Sequence, residues 1–134
     1  MKHLLSLLLA LCLLGANLHA ADTPASAVYE LRIYHTHPGK MPDLLKRFRE
    51  HTTALFERHG MVNVGYWLPS DEKDPNTLYY VLKHASREAA KKSWDDFRND
   101  PEWKDVQKAS EAAGPIVAKV DSIYLTPTDF SALK

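Results

Sequence analysis

Along the chain, one long apolar block gives way to a series of short amphipathic periods. Leu4 to Leu14 is an almost unbroken apolar run behind Met1-Lys2-His3, and from Gly15 small and polar residues close on Ala20. Between Val28 and His35 the pattern alternates, with Tyr29, Leu31 and Ile33 on one side and Glu30, Arg32 and Tyr34 on the other. Successive side chains of a strand point to opposite faces, so this period of two predicts a strand, which Pro38-Gly39 ends. From Met41 the spacing changes to three and four, through Met41, Leu44, Leu45, Phe48, Thr52, Leu55, Phe56 and His59. That stripe predicts an amphipathic helix, with Pro42 suited to its first turn and Gly60 to its C-terminal stop.

Two β-rich runs follow, Met61 to Leu68 and Thr77 to His84, joined by the polar, proline-containing stretch 69–76 that reads as a long hairpin connection. Ser86 can cap the next helix, whose inward stripe is Ala90, Trp94 and Phe97. Asp100-Pro101-Glu102 starts a further helix, because an N-cap acid followed by proline at the first helical position is a start signal. Its stripe is Trp103, Val106, Ser110 and Ala113, Gly114-Pro115 ends it, and Ile116 to Leu125 is the last strand. The order strand, helix, strand, strand, helix pair, strand predicts an α+β fold, a ferredoxin-like split βαβ sheet with helices on one face. Both sides of the strands are substantially apolar, whereas a sheet with one wet face alternates cleanly. The second face is therefore expected to pack on another copy of the chain, as a homodimer.

The first block changes the picture of where this domain works. A short basic start, an apolar run of 11 residues and a small-residue close have the order of a cleavable export signal, and the run is shorter than the roughly 17 to 25 residues of a membrane span. Residues 1–20 are read as signal peptide, 21–27 as a polar spacer, 28–126 as the folded domain and 127–134 as a C-terminal tail, in a periplasmic or secreted protein. Cys12 lies in the signal behind the bulky Leu11, which argues against lipidation, and its removal leaves no thiol for a disulfide, a nucleophile or a metal. The chain is neutral overall and lacks a basic run, which argues against nucleic acid and an anionic membrane surface as partners.

Tyr29-Glu30-Leu31-Arg32-Ile33-Tyr34 with Pro38-Gly39-Lys40, then Gly65-Tyr66-Trp67, then Asp100-Pro101-Glu102-Trp103, in that order and spacing, resembles the NIPSNAP family over about Val28 to Leu125. The resemblance implies a dimeric α+β barrel, a superfamily that also holds antibiotic-biosynthesis monooxygenases, EthD-like proteins and haem-degrading monooxygenases. It supplies a fold and no catalytic residue to transfer.

Candidate chemistry is sparse. His35-Thr36-His37 places two imidazoles on one side of an extended segment, but a metal site needs three or four ligands, and His59 and His84 belong to the other end of the sheet; no metal is expected. Haem-binding relatives carry an axial histidine on the second helix, and 86–99 has none, so no cofactor is expected. His59 is read as a helix C-terminal cation. Trp67, Tyr80 and Trp94 are the aromatic residues expected to line a cleft between sheet and helices, against the plainer reading that they are core. Arg32, a charge in the middle of a strand, needs a partner if buried, and Glu30, Lys119 and Asp121 are the charged positions on the first and last strands; it serves either an anionic ligand or a salt-bridge network across the dimer. The pocket candidates are thus Arg32, His35, Trp67, Tyr80 and Trp94, with His35 the weak catalytic candidate. The leading expectation is an exported, dimeric small-ligand-binding or accessory protein taking a small apolar or aromatic ligand. The alternative is a cofactor-independent monooxygenase or isomerase acting on an aromatic or polyketide-like molecule, with His35 moving a proton; it requires a closed cavity between sheet and helices into which His35 points.

Overall fold

The computed structural model describes residues 27–71 and 73–134; the expected signal and nearly all of the spacer lie outside the described residues. Strand β1 (Val28–Thr36) leads to α1 (Met41–Arg47), a π-helical turn (Phe48–Thr52) and α2 (Thr53–Arg58). Then come β2 (Val62–Trp67), β3 (Thr77–His84), α3 (Arg87–Asn99), α4 (Pro101–Ser110) and β4 (Val117–Leu125). The sheet is antiparallel throughout, in the order β2-β3-β1-β4, which is the ferredoxin-like arrangement with the first and third strands at its centre. The start signals act as read. Ser86 accepts from the Ala89 amide at 3.0 Å, and Asp100 accepts from the Glu102 amide at 2.8 Å ahead of Pro101. Gly60, at φ 77°, ends α2 in the left-handed conformation that glycine adopts without strain.

The first helical segment differs from the expected regular helix, and its sequence shows why. Leu44, Phe48, Thr52 and Phe56 are all buried and all four apart. At about 3.6 residues per α-helical turn, a run of fours drifts steadily off one face. The π-helical turn absorbs the extra residue and keeps Leu55 and Phe56 pointed inward. The Thr53 amide bonds the Phe48 carbonyl five residues back, and the Thr52 and Thr53 hydroxyls donate to the Arg47 and Phe48 carbonyls at 3.2 Å each.

The two faces of the sheet are divided by parity. Glu30, Arg32 and Tyr34 point to the helices, where they meet Trp94, Tyr80 and Phe48. Leu31 and Ile33 point the other way, in register with Val81 and Tyr79 on β3 and with Ile123 and Asp121 on β4. That open face is half-buried at its centre and exposed at Ile123, Leu125 and Trp67. The polar side of β1 therefore lies under the helices, and the apolar side faces away from them. The helix face is filled by Tyr34, Phe48, Phe56, Tyr66, Tyr80, Trp94 and Phe97, with neighbouring ring centroids 5.0 to 6.1 Å apart. The α4 helix buries none of its side chains, although Trp103 and Val106 are partly covered. His59 ties the end of α2 to the start of α4 by a 2.7 Å contact with the capping Asp100.

Candidate functional site

A polar network lies where β1 passes beneath α3. The Glu30 carboxylate is almost fully buried and accepts four side-chain hydrogen bonds. Oε1 takes Ser122 Oγ at 2.6 Å and Arg32 Nη1 at 3.0 Å; Oε2 takes Trp94 Nε1 at 2.7 Å and His84 Nε2 at 2.9 Å. Antiparallel register explains how distant residues converge, since Glu30 lies opposite Leu82 and Tyr124 and its side chain reaches residues diagonal to those. Burial pushes the carboxyl group up, but the bonds from His84, Ser122 and Trp94 and the charge of Arg32 outweigh it and hold its pKa at about 2. Glu30 is therefore an ionised acceptor, so the Nε2–H of His84 is the donor in their contact. His84 Nδ1 is buried without a partner among the described residues.

Arg32 is fixed on every side. Its Nε donates to the Tyr80 hydroxyl at 3.2 Å, Nη2 to the Tyr34 hydroxyl at 3.3 Å, and its guanidinium lies 4.2 Å from the centre of the Trp94 ring. Burial disfavours its charge, and the surrounding Tyr80, Tyr34 and Glu30 oxygens more than offset that, so it stays cationic. Of the three charged positions considered from sequence, only Glu30 contacts Arg32, at 3.0 Å. Lys119 and Asp121 project from the opposite face, where Asp121 contacts Lys119 at 2.8 Å and His35 at 3.3 Å.

Above this network a groove of about 450 Å³ runs between α3 and β4. It holds Arg32, Arg87, Lys91 and Arg98 against the carboxylates of Glu30 and Glu88. Glu30 is already committed to its donors, and Asp95 bonds both Lys91 and Arg98 at 2.6 Å, holding them along one rim. Arg87 has no carboxylate within ion-pair distance among the described residues, and its guanidinium lies 3.3 Å from the centre of the Tyr124 ring. The groove is thus cationic, with planar cations stacked on aromatic rings, an arrangement suited to holding a carboxylate or another oxyanion.

The five residues singled out from sequence do not form one pocket. Arg32, Tyr80 and Trp94 are in contact on the helix side, but Tyr80 is fully buried in the aromatic core and lines no cleft. Burial of its hydroxyl raises its pKa well above that of a free phenol. Trp67 does not join them: its indole lies over Gly65 on the open face, so close that a Cβ there would come within 2.5 Å of the ring. His35 also faces the open side, between Thr77 Oγ1 at 3.2 Å and Asp121. The expected cleft between sheet and helices is filled by the aromatic side chains, because the central strands place tyrosines where a cavity would need small residues. Among the described residues no three His, Cys, Asp or Glu side chains cluster as a metal site would require. Ser122, Arg87 and Tyr124 were not singled out from sequence; they carry no motif, and only the pairing of β4 beside β1 brings them to the groove.

The family model for NIPSNAP matches residues 29–132. Among solved structures, the chain is similar to a NIPSNAP family protein of Agrobacterium tumefaciens at 24% identity and a TM-score of 0.70, covering 81% of this chain and 99% of that one. An uncharacterised NIPSNAP-like domain protein of Burkholderia xenovorans aligns at 19% identity and TM-score 0.68, over 78% of this chain and 88% of that one. SnoaB, a cofactor-independent oxygenase of Streptomyces nogalater, shares the fold more distantly, at 14% identity and TM-score 0.55, over 82% and 100% of the two chains. No curated protein matches the chain.

Proposed function

The chain belongs to the NIPSNAP family, and on that premise we propose that it is an exported, homodimeric binding or accessory protein that holds a small organic anion in the groove between α3 and β4. The observation that carries this reading is Arg32, stacked on Trp94 and locked by three hydrogen bonds at the groove floor, with Arg87 placed over Tyr124 at its wall. A guanidinium held in one geometry loses little side-chain entropy when a ligand arrives, which favours selective binding. Export is supported by the order of residues 1–20. Self-association is supported by the continuous apolar row formed by Leu31, Ile33, Val81, Tyr79 and Ile123, which has the composition of an isologous sheet-on-sheet contact.

The oxygenase or isomerase alternative draws on the fold shared with SnoaB. It needs a closed cavity on the helix side with His35 turned into it, and that interface is occupied by Tyr80, Phe48 and Phe56 while His35 faces away. The binding reading is therefore preferred. The test is native mass spectrometry of the protein recovered from the exported fraction, followed by calorimetric titration with a series of aliphatic and aromatic carboxylates. A dimer that binds such an anion, with affinity lowered about tenfold or more by Arg87→Gln, is the expected result. A protein that retains and binds no anion, or binds one with no response to Arg87→Gln, would overturn the assignment of the groove.

A further inference from the structure

A second groove, on the far side of the helical layer, has a different character. It encloses about 520 Å³ between α4 and the segment formed by α1 and the π-helical turn. At its base is Arg47, one of the two ionisable acid or guanidinium side chains buried among the described residues; the other is Glu30. Arg47 Nη1 donates to Glu111 Oε1 at 3.0 Å and Ser110 Oγ at 3.3 Å, and the guanidinium lies 5.3 Å from the centre of the Trp103 ring. Its Nε–H is buried and has no acceptor among the described residues. A buried donor without an acceptor is costly, and native structures retain one where a strained or functional arrangement uses it. The rim carries an excess of acid: Asp43, Glu50 and Asp105 line it beside a single lysine, Lys46. Asp43 is paired with Lys40 and Glu50 stands 4.0 Å from His51, whereas Asp105 has no cation within ion-pair distance among the described residues. Val106 and Ala109 supply an apolar wall.

From this juxtaposition of a buried, incompletely bonded guanidinium with an acidic rim, the geometry points to a binding site for a small zwitterion of the amino-acid type. The carboxylate completes the bonding of Arg47, the ammonium group meets Asp105 at the rim, and a short aliphatic side chain lies on Val106 and Ala109. A simple anion would meet three rim carboxylates against the one rim lysine, and a simple cation would leave Arg47 as it is. Entry is from solvent, because Asp43, Glu50, Asp105 and Ala109 along the groove are exposed. The π-helical turn belongs to the same site: such turns concentrate where function is selected over regularity, and this one carries Glu50 and His51 into the groove.

The experiment is an NMR titration of the ¹⁵N-labelled protein with L-alanine, N-acetyl-L-alanine, L-alanine methyl ester and inorganic phosphate. The expected result is a saturable perturbation by alanine confined to 43–51 and 103–111, with about tenfold or greater weakening for both blocked analogues and none for phosphate. Asp105→Asn, at an exposed position that does not support the core, is expected to weaken alanine binding to a similar degree; Arg47→Lys, where it folds, is expected to abolish it. Absence of any saturable perturbation by alanine, equal binding of N-acetyl-L-alanine, or unchanged binding in Asp105→Asn would each overturn the proposal. None of these readouts involves Arg87 or the groove beside β4, so the two sites stand or fall separately.

Discussion

The indole nitrogen of Trp94 donates to Glu30 Oε2 at 2.7 Å, joining the middle of α3 to the central strand through a buried charge. The same carboxylate receives Arg32, His84 and Ser122, so a single residue links β1, β3, β4 and α3. Replacing Glu30 by Gln removes the charge that Arg32 and three further donors are arranged around. We expect Glu30→Gln to lower folding stability by about 3 kcal/mol, in the range for breaking one side of a buried ion pair. Ser122→Ala, which loses one hydrogen bond, should cost about 1 kcal/mol. Urea denaturation of both variants checks the ranking; equal losses would show that Glu30 is not the hub.

The same residue sets an acid limit. Its carboxyl group has a pKa of about 2 in the folded protein against 4.5 as the ordinary value. A depressed carboxylate stabilises the folded state above its unfolded pKa, and that contribution, roughly 3 kcal/mol, is lost as pH falls from about 4.5 toward 2. Stability measured by urea denaturation across that interval should fall steeply in the wild type and more gently in Glu30→Gln. Parallel pH profiles would remove Glu30 as the cause.

Gly65 and Trp67 make a separate prediction about the open face. Adding a methyl group at position 65 forces the indole from its place, since the Cβ would come within 2.5 Å of the ring. Trp67 is half-exposed, so moving it should change the stability of the subunit by about 1 kcal/mol or less. If the open face is the contact between copies, Gly65→Ala and Trp67→Ala both weaken self-association in sedimentation velocity while leaving far-ultraviolet circular dichroism unchanged. Unaltered association in both variants would move the interface elsewhere.

The π-helical turn predicts an unusual tolerance. Deleting the exposed Glu50 converts the run of fours at Leu44, Phe48, Thr52 and Phe56 to a spacing of three and four, which a regular α-helix presents on one face. The shortened chain should fold with a melting temperature equal to or above that of the wild type, although it lacks a groove residue next to Arg47. A large loss of stability would show that the turn is needed for packing.

The hydrophobic periods determined a good deal by themselves. Strand and helix order, the caps at Ser86 and Asp100, the stop at Gly60 and hence the ferredoxin-like architecture follow from local spacing and turn chemistry, which act over a few residues and leave a direct trace in the sequence. Pattern also separated Glu30, Arg32 and Tyr34 from Leu31 and Ile33. Only the tertiary structure decided which set lies under the helices, because a period of two distinguishes two faces without saying what covers either. That choice placed the charged set inside, sent His35 and Trp67 to the face opposite Arg32 and Trp94, and filled the expected cleft with Tyr80. Likewise, the groove residues Ser122, Arg87 and Tyr124 are brought to Glu30 and Arg32 through strand pairing and helix packing across more than fifty residues of chain, and long-range register is a property of the folded whole rather than of any window in the sequence.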